Sequence, residues 1–187
     1  DLRGVYDPAR RKGCRVTAPN TAGIISPGQA RAGFMAHRIF SPGDVGIMSR
    51  GATNCYETVC MLTREGIGQS TCVGNGGDAI PGSVFADILP LMNADDETKV
   101  IVIIGEIGGG EEEAAAAYIK DNVKKPVVAL IAGKNAPRGR SMGPAGARIG
   151  ADGSGSAVQT ARGVRAAGGP LAERTGAIVT NVQTQGA

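Results

Sequence analysis

The chain has 187 residues, 42% hydrophobic and 20% charged, a length and balance that suit one globular domain with its own core. No apolar run approaches the roughly 18 residues that a membrane helix needs, and with aromatics at 3% no stacking residues interleave the basic ones, so membrane-spanning and nucleic-acid-binding classes do not fit. A single histidine and four cysteines without a C-x-x-C pair cannot make a zinc set, and no metal site is expected.

In chain order, residues 1–40 read as a lead-in of loops and turns, with Gly23-Ile24-Ile25 as a candidate short strand. The apolar run Val45–Met48 follows the turn Ser41-Pro42-Gly43-Asp44 and reads as a strand. Thr53–Arg64 reads as a helix carrying Tyr56, Val59, Cys60 and Thr63 on one face. Ser70–Val73 is a second strand, and Val84–Met92 a second helix with Phe85, Ile88, Leu89 and Met92 at helical spacing. Lys99–Ile104 is an almost unbroken β-branched run, as a strand buried on both faces requires. Glu111–Val123 is a helix with three carboxylates in its first turn, where the helix dipole favours them. Pro126–Ala132 is a fourth strand, Ser154–Ala167 a helix stopped by Gly168-Gly169-Pro170, and Ala177–Thr180 a fifth strand.

This alternation predicts an α/β fold: a three-layer, doubly wound, flavodoxin-like parallel sheet of about five strands. Residues 41–187 form the expected domain. Ligands of such sheets bind at the carboxyl ends of the strands. Here those ends are Ser49-Arg50-Gly51, Gly74–Asp78, Gly105–Gly109 and Gly133-Lys134-Asn135, all glycine-bearing. The expected site is therefore a glycine-lined crevice. Charge suggests an anionic ligand or partner near the second half, or simply a solvated basic face: residues 122–187 hold nine Lys and Arg against two Asp and Glu, and no carboxylate lies between Asn122 and Ala151. Glu106 lies just past the most buried strand, between glycines, and reads either as a group that orients or accepts a proton from a bound ligand or as a loop carboxylate in water.

Several familiar motifs are missing. There is no G-x-x-x-x-G-K-[ST] and no G-x-S-x-G. Gly74-x-Gly76-x-x-Ala79 follows a strand as a dinucleotide fingerprint would, but Asp95, Asp96 and Glu97 precede the next strand rather than end it. The four cysteines read as buried, reduced thiols of a cytosolic protein.

Other stretches are specific: Gly46-Ile47-Met48-Ser49-Arg50, Tyr56-Glu57, Gly66 through Asp78, Ile104-Gly105-Glu106-Ile107-Gly108-Gly109, and the loop 137–147. With Ala18–Gly23 they make the chain resemble the ligase domain of the succinyl-CoA synthetase α subunit. That family includes ADP-forming acyl-CoA synthetases and the corresponding part of ATP-citrate lyase. The resemblance implies an acid–thiol ligase reaction in which a nucleoside triphosphate phosphorylates a histidine. The phosphate then passes to an acid, and CoA displaces it. It implies a glutamate, here Glu106, that holds the imidazole. It implies a helix N-terminus, here around Ser49, Gly51, Ala52 and Thr53 with Gly76, Gly77 and Gly143 nearby, that cradles the phosphate. It places Asn20 and Thr21 on the substrate and CoA side. Its ligands would be phosphate, a nucleotide (ADP or ATP) or CoA, with no covalent cofactor. Its partner would be an ATP-grasp-like β subunit or a second copy, in the cytoplasm or an organelle matrix. The family's N-terminal CoA-binding domain is expected to be absent from this chain.

The resemblance breaks where the chemistry sits. The family's Gly-His-Ala-Gly-Ala reads Gly143-Pro144-Ala145-Gly146-Ala147, so Pro144 stands at the phosphohistidine. The family's Ser-Gly-Thr reads Gly51-Ala52-Thr53, and its Pro-Asn-Cys-Pro-Gly reads Pro19-Asn20-Thr21-Ala22-Gly23. His37 lies far upstream and reads as a surface or loop histidine. Ser141 and Lys134 are the other groups near the loop, and a serine phosphate would be too stable to turn over. The expectation is a divergent α-type ligase domain without phosphohistidine chemistry, acting by binding, assembly or altered acyl transfer. An active ligase half completed by a β subunit and a non-catalytic scaffold are the alternatives.

Overall fold

The computed structural model describes residues 2–166 and 170–185. In chain order the elements are α1 (Arg3–Arg11), β1 (Gly23–Ser26), β2 (Ala30–Gly33), a 3-10 turn at His37–Ile39, β3 (Pro42–Ser49) and α2 (Ala52–Arg64). There follow β4 (Gln69–Gly74), α3 (Phe85–Ala94), β5 (Val100–Glu106), α4 (Glu111–Asn122), β6 (Val127–Ala132), α5 (Ala157–Ala166), β7 (Leu171–Ala172) and α6 (Thr175–Gln185).

One sheet of seven strands runs β2-β1-β4-β3-β5-β6-β7. From β3 onward the strands are parallel, and their spatial order, 2-1-3-4-5 counted from β3, is the flavodoxin-like one. The sheet is mixed rather than wholly parallel, because β1 joins β4 antiparallel and β2 joins β1 antiparallel. Residues 23–33, expected to hold at most one short strand, thus supply two strands of the sheet.

Alternation along β5 divides the core. Val100, Val102 and Ile104 face one layer with Val45, Ile47, Val59 and Leu62. Ile101 and Ile103 face the other with Phe85, Ile88, Leu89 and Met92. Helices α2 and α6 pack on the first face and α3, α4 and α5 on the second. Each fully buried Ile, Leu or Phe contributes roughly 1.5–3 kcal/mol. The predicted stripe of α3 is the buried one, whereas α2 buries Cys55, Thr58, Val59 and Leu62 and leaves Tyr56, Cys60 and Thr63 half-buried. Cys55 and Cys72 are buried free thiols with their sulfurs 3.3 Å apart, but Cys14 is exposed and Cys60 half-buried.

Three expectations on secondary structure are corrected. Ala177–Thr180 is helical, inside α6: Ile178 and Val182 are one helical turn apart and both buried, a pattern that the short run of one alanine and three β-branched residues conceals. The last strand is instead Leu171–Ala172, paired with Ala129 and Leu130. Helix α5 begins at Ala157, not Ser154, because Gly153 and Gly155 take positive φ and the Asp152 carboxylate accepts from the Ser154 N–H and hydroxyl, forming a turn. The predicted stop at Gly168-Gly169 lies outside the described residues. The lead-in also contains helix α1, docked by Tyr6, whose hydroxyl donates to the Ala18 carbonyl at 2.9 Å.

Candidate active site at the switch point of the sheet

In the parallel part of the sheet the order reverses at β3, which has β4 on one side and β5 on the other. Crossovers leave in opposite directions there and open a crevice beyond the carboxyl ends of the two strands. Ser49 ends β3 and Glu106 ends β5. The chain turns from β3 through Arg50 and Gly51 into α2. Gly51 caps the helix without a side-chain bond. Helix geometry leaves the N–H groups of Ala52, Thr53 and Asn54 without carbonyls of their own, directed at the crevice.

Of the sequence-predicted residues, Asn20, Thr21, Gly51, Ala52, Thr53, Glu106, Gly143 and Pro144 line one open depression of about 650 Å³. Phe34, 73% exposed, stands at its rim. Gly77 lies behind it: a Cβ there would come within 2.8 Å of both Glu106 Oε1 and the Pro144 Cβ, so only glycine fits between these two side chains. Ser49 and Gly76 do not line the depression. The Ser49 hydroxyl is buried and donates to the Gly51 carbonyl at 2.7 Å, and Gly76 packs beneath Pro19. The Thr21 hydroxyl donates to the Gly74 carbonyl at 2.6 Å and accepts from the Gly23 N–H, tethering the first loop to β4.

Pro144 sits at the tip of a turn closed by the bridge between Ser141 and Arg148. Its carbonyl accepts from the Ala147 N–H and the Ser141 hydroxyl. The Gly146 N–H donates to the Gly77 carbonyl at 3.1 Å and docks the turn onto the loop after β4. Ala147 and Ile149 are buried with Ile107 and Ala157, an apolar anchor under the turn. Lys134 instead lines a separate depression with Val158 and Leu171. His37 is exposed, with Nδ1 3.3 Å from Arg31 Nη1.

Sequence reading missed the residue that organises the site. Arg50 is 3% exposed and reaches under the crevice. Its Nη1 donates to both Glu112 oxygens at 3.0 and 3.2 Å and to the Gly108 carbonyl at 2.7 Å. Its Nη2 lies 3.6 Å from Glu106 Oε1, an ion pair longer than a hydrogen bond. Glu112 Oε1 also accepts the Glu106 N–H at 3.0 Å. The only advance signal was an arginine directly after a buried strand and a run of glutamates opening a helix.

One guanidinium thus serves three carboxylates. Burial works against its charge, but Glu112, Glu111 and Glu106 outweigh it and hold Arg50 protonated. Burial pushes the Glu106 carboxyl above its usual range and Glu112 adds to this, while Arg50 pulls the other way. Glu112 is likewise raised by burial and drawn back by Arg50 and the Glu106 N–H. Glu111 is pushed up to about 7 by burial and by its acidic neighbours, with Arg50 opposing. The arrangement offers a desolvated carboxylate, Glu106, beside an uncapped helix N-terminus. Among the described residues no cluster of His, Cys, Asp or Glu could hold a metal ion, and no helix is long and apolar enough to cross a membrane.

The CoA-ligase family profile matches residues 48–169. The α subunit of ADP-forming succinate–CoA ligase from Methanothermobacter thermautotrophicus is 45% identical over 185 residues, covering 99% of this chain and 62% of that protein. The malate–CoA ligase α subunit of Methylorubrum extorquens is 46% identical over 173 residues, covering 92% of this chain and 58% of its own length. The chain therefore spans about three-fifths of these relatives. The structure of ATP citrate lyase from Methanothrix soehngenii in complex with citrate and coenzyme A superposes on 98% of this chain with a TM-score of 0.84 at 25% identity, and this chain covers 33% of that one. A flavodoxin-like sheet, a crevice at its switch point and this similarity along nearly the whole length place the chain in the CoA-ligase family.

Proposed function

We propose that this chain acts as the α-type ligase domain of an acid–CoA-ligase-like complex and that it does so without a phosphohistidine. The observation that carries the reading is Pro144 beside Gly77 and Glu106, at the tip of a turn docked by the Gly146 N–H on the Gly77 carbonyl. A proline offers no nucleophile and no proton to relay. His37 is no substitute: it lies outside the depression that holds Glu106, Gly51 and Pro144.

The crevice is suited to a small anion, with phosphate, ADP or ATP, or the diphosphate of CoA as its class of ligand. The uncapped first turn of α2 supplies backbone donors for it. By its likeness to α subunits, the partner in this proposal is an ATP-grasp-like β subunit. The compartment is the cytoplasm or an organelle matrix, where the four free thiols stay reduced.

The test is to co-express the chain with a β-type subunit from its own genome and incubate the complex with ATP, CoA and a panel of dicarboxylic acids. Complex formation without acid-labile, alkali-stable phosphate on this chain is the expected result. Appearance of such phosphate, the mark of a phosphoramidate, would overturn the reading.

A further inference from the structure

One buried oxygen in the crevice has no donor. Glu106 Oε1 is enclosed and makes no hydrogen bond, with Arg50 Nη2 3.6 Å away as its cation. The Pro144 ring fills the space across Gly77 but cannot donate to it. The carboxylate's other oxygen, Oε2, faces Gly51, 3.5 Å from where a Cβ at that residue would lie. Glu106 therefore stands against the first turn of α2, with its main chain pinned by the Glu112 carboxylate. With its main chain held, Oε1 paired only with Arg50 and Oε2 turned to the first turn of α2, this partly desolvated carboxylate is set up as a nucleophile through Oε2 toward whatever the helix N-terminus holds.

We propose that Glu106 is the phosphoryl carrier of this site, forming an acyl phosphate in place of a phosphohistidine. The inference rests on the function proposed above and supplies the acyl-transfer chemistry that Pro144 denies it. In the first transfer a Glu106 carboxylate oxygen attacks the terminal phosphorus of a nucleoside triphosphate. The new bond is O–P; the bond from phosphorus to the bridging oxygen breaks, and the nucleoside diphosphate leaves with the electron pair. In the second transfer a carboxylate of the acid substrate attacks the same phosphorus. Glu106 departs as a carboxylate, and the substrate carries the acyl phosphate. The CoA thiolate then displaces phosphate from the carbonyl carbon.

No proton moves in either phosphoryl transfer, so a proline at 144 is no handicap. The energetics also fit. One acyl phosphate passing its group to another carboxylate is close to balanced, whereas a serine ester would hold it. Ser141, the hydroxyl of the turn, is exposed and already donates to the Pro144 carbonyl. The charge that accumulates on the transferring group meets the N–H groups of the first turn of α2 and the Arg50 guanidinium.

The experiment uses the complete chain and radiolabelled acetyl phosphate, whose own acyl phosphate makes the transfer near-isoenergetic and needs no partner. The expected result is a label that neutral hydroxylamine removes, leaving a hydroxamate that peptide mass mapping locates at Glu106. Because the mapping is done on the native sequence, it does not depend on how a variant folds. Glu106→Gln should abolish the label, while Ser141→Ala and His37→Ala should retain it. No label, a label that withstands hydroxylamine, or a hydroxamate at another residue overturns the proposal. Should a complex with a β-type subunit make a CoA thioester while Glu106 yields no hydroxamate, the carrier assignment fails and the ligase reading stands. A hydroxamate at Glu106 without thioester formation in any complex upholds the carrier assignment and removes the ligase reading.

Discussion

Arg50 and Glu112 form a two-oxygen, buried ion pair that joins the end of β3 to the first turn of α4, with side chains 2% and 1% exposed. Burying two charges is costly, and the geometry offsets this only while both are present. Removing one partner strands the other. Glu112→Ala is therefore expected to lower stability by about 3–5 kcal/mol. Replacing both residues with methionine should recover much of that loss. Urea unfolding of the single and double variants reads the difference.

Glu111 ties stability to pH. Its ordinary value is 4.5 and its folded value about 7, so the folded chain holds a proton that the unfolded chain has released in the interval between. Stability from this carboxyl is present at pH below about 4.5 and lost as pH rises through about 7. Thermal midpoints measured across that window should fall with rising pH, and Glu111→Gln should flatten the slope.

Gly77 separates Glu106 from Pro144, and a methyl group at that point has nowhere to go. Gly77→Ala should cost about 1–3 kcal/mol through overpacking. It should also push the 141–148 turn off the crevice, read as faster amide exchange at Gly146, whose N–H donates to the Gly77 carbonyl.

Pro144→His tests whether the site supports a phosphoryl-carrying imidazole, the role the resemblance assigns to this position. The new ring would approach Glu106 Oε1, the oxygen that now lacks a donor. In a complex with a β-type subunit and ATP, the variant should gain acid-labile, alkali-stable phosphate absent from the native chain. Phosphate-bond stability assays on the labelled protein separate the two.

What the sequence disclosed follows from how local the cause was. The β-branched run of β5 and the apolar stripe of α3 are local patterns, and both stand as read. The glycine loops at the strand ends, with Pro144 and Glu106 among them, could be placed on one edge from topology alone. Helix α6 was misread because four β-branched or small residues carry too short a period to separate helix from strand; its buried pair Ile178 and Val182 is visible only against α2 and β6. Arg50 was passed over for a different reason. Its partner Glu112 lies 62 positions away and looked like a residue placed for the helix dipole. Long-range pairing of charges leaves no periodicity behind.

The turn that carries Pro144 meets the crevice through few bonds, chiefly Gly146 to Gly77 and the anchor of Ala147 and Ile149 on Ile107. The floor of the crevice belongs to the sheet, and its wall at residue 144 belongs to that turn. Such a division lets the side chain at position 144 change with little penalty to the sheet. The shape of that wall is thus set apart from the buried Arg50–Glu112 pair, so substitutions in the turn alter what the crevice admits while its floor stays as it is.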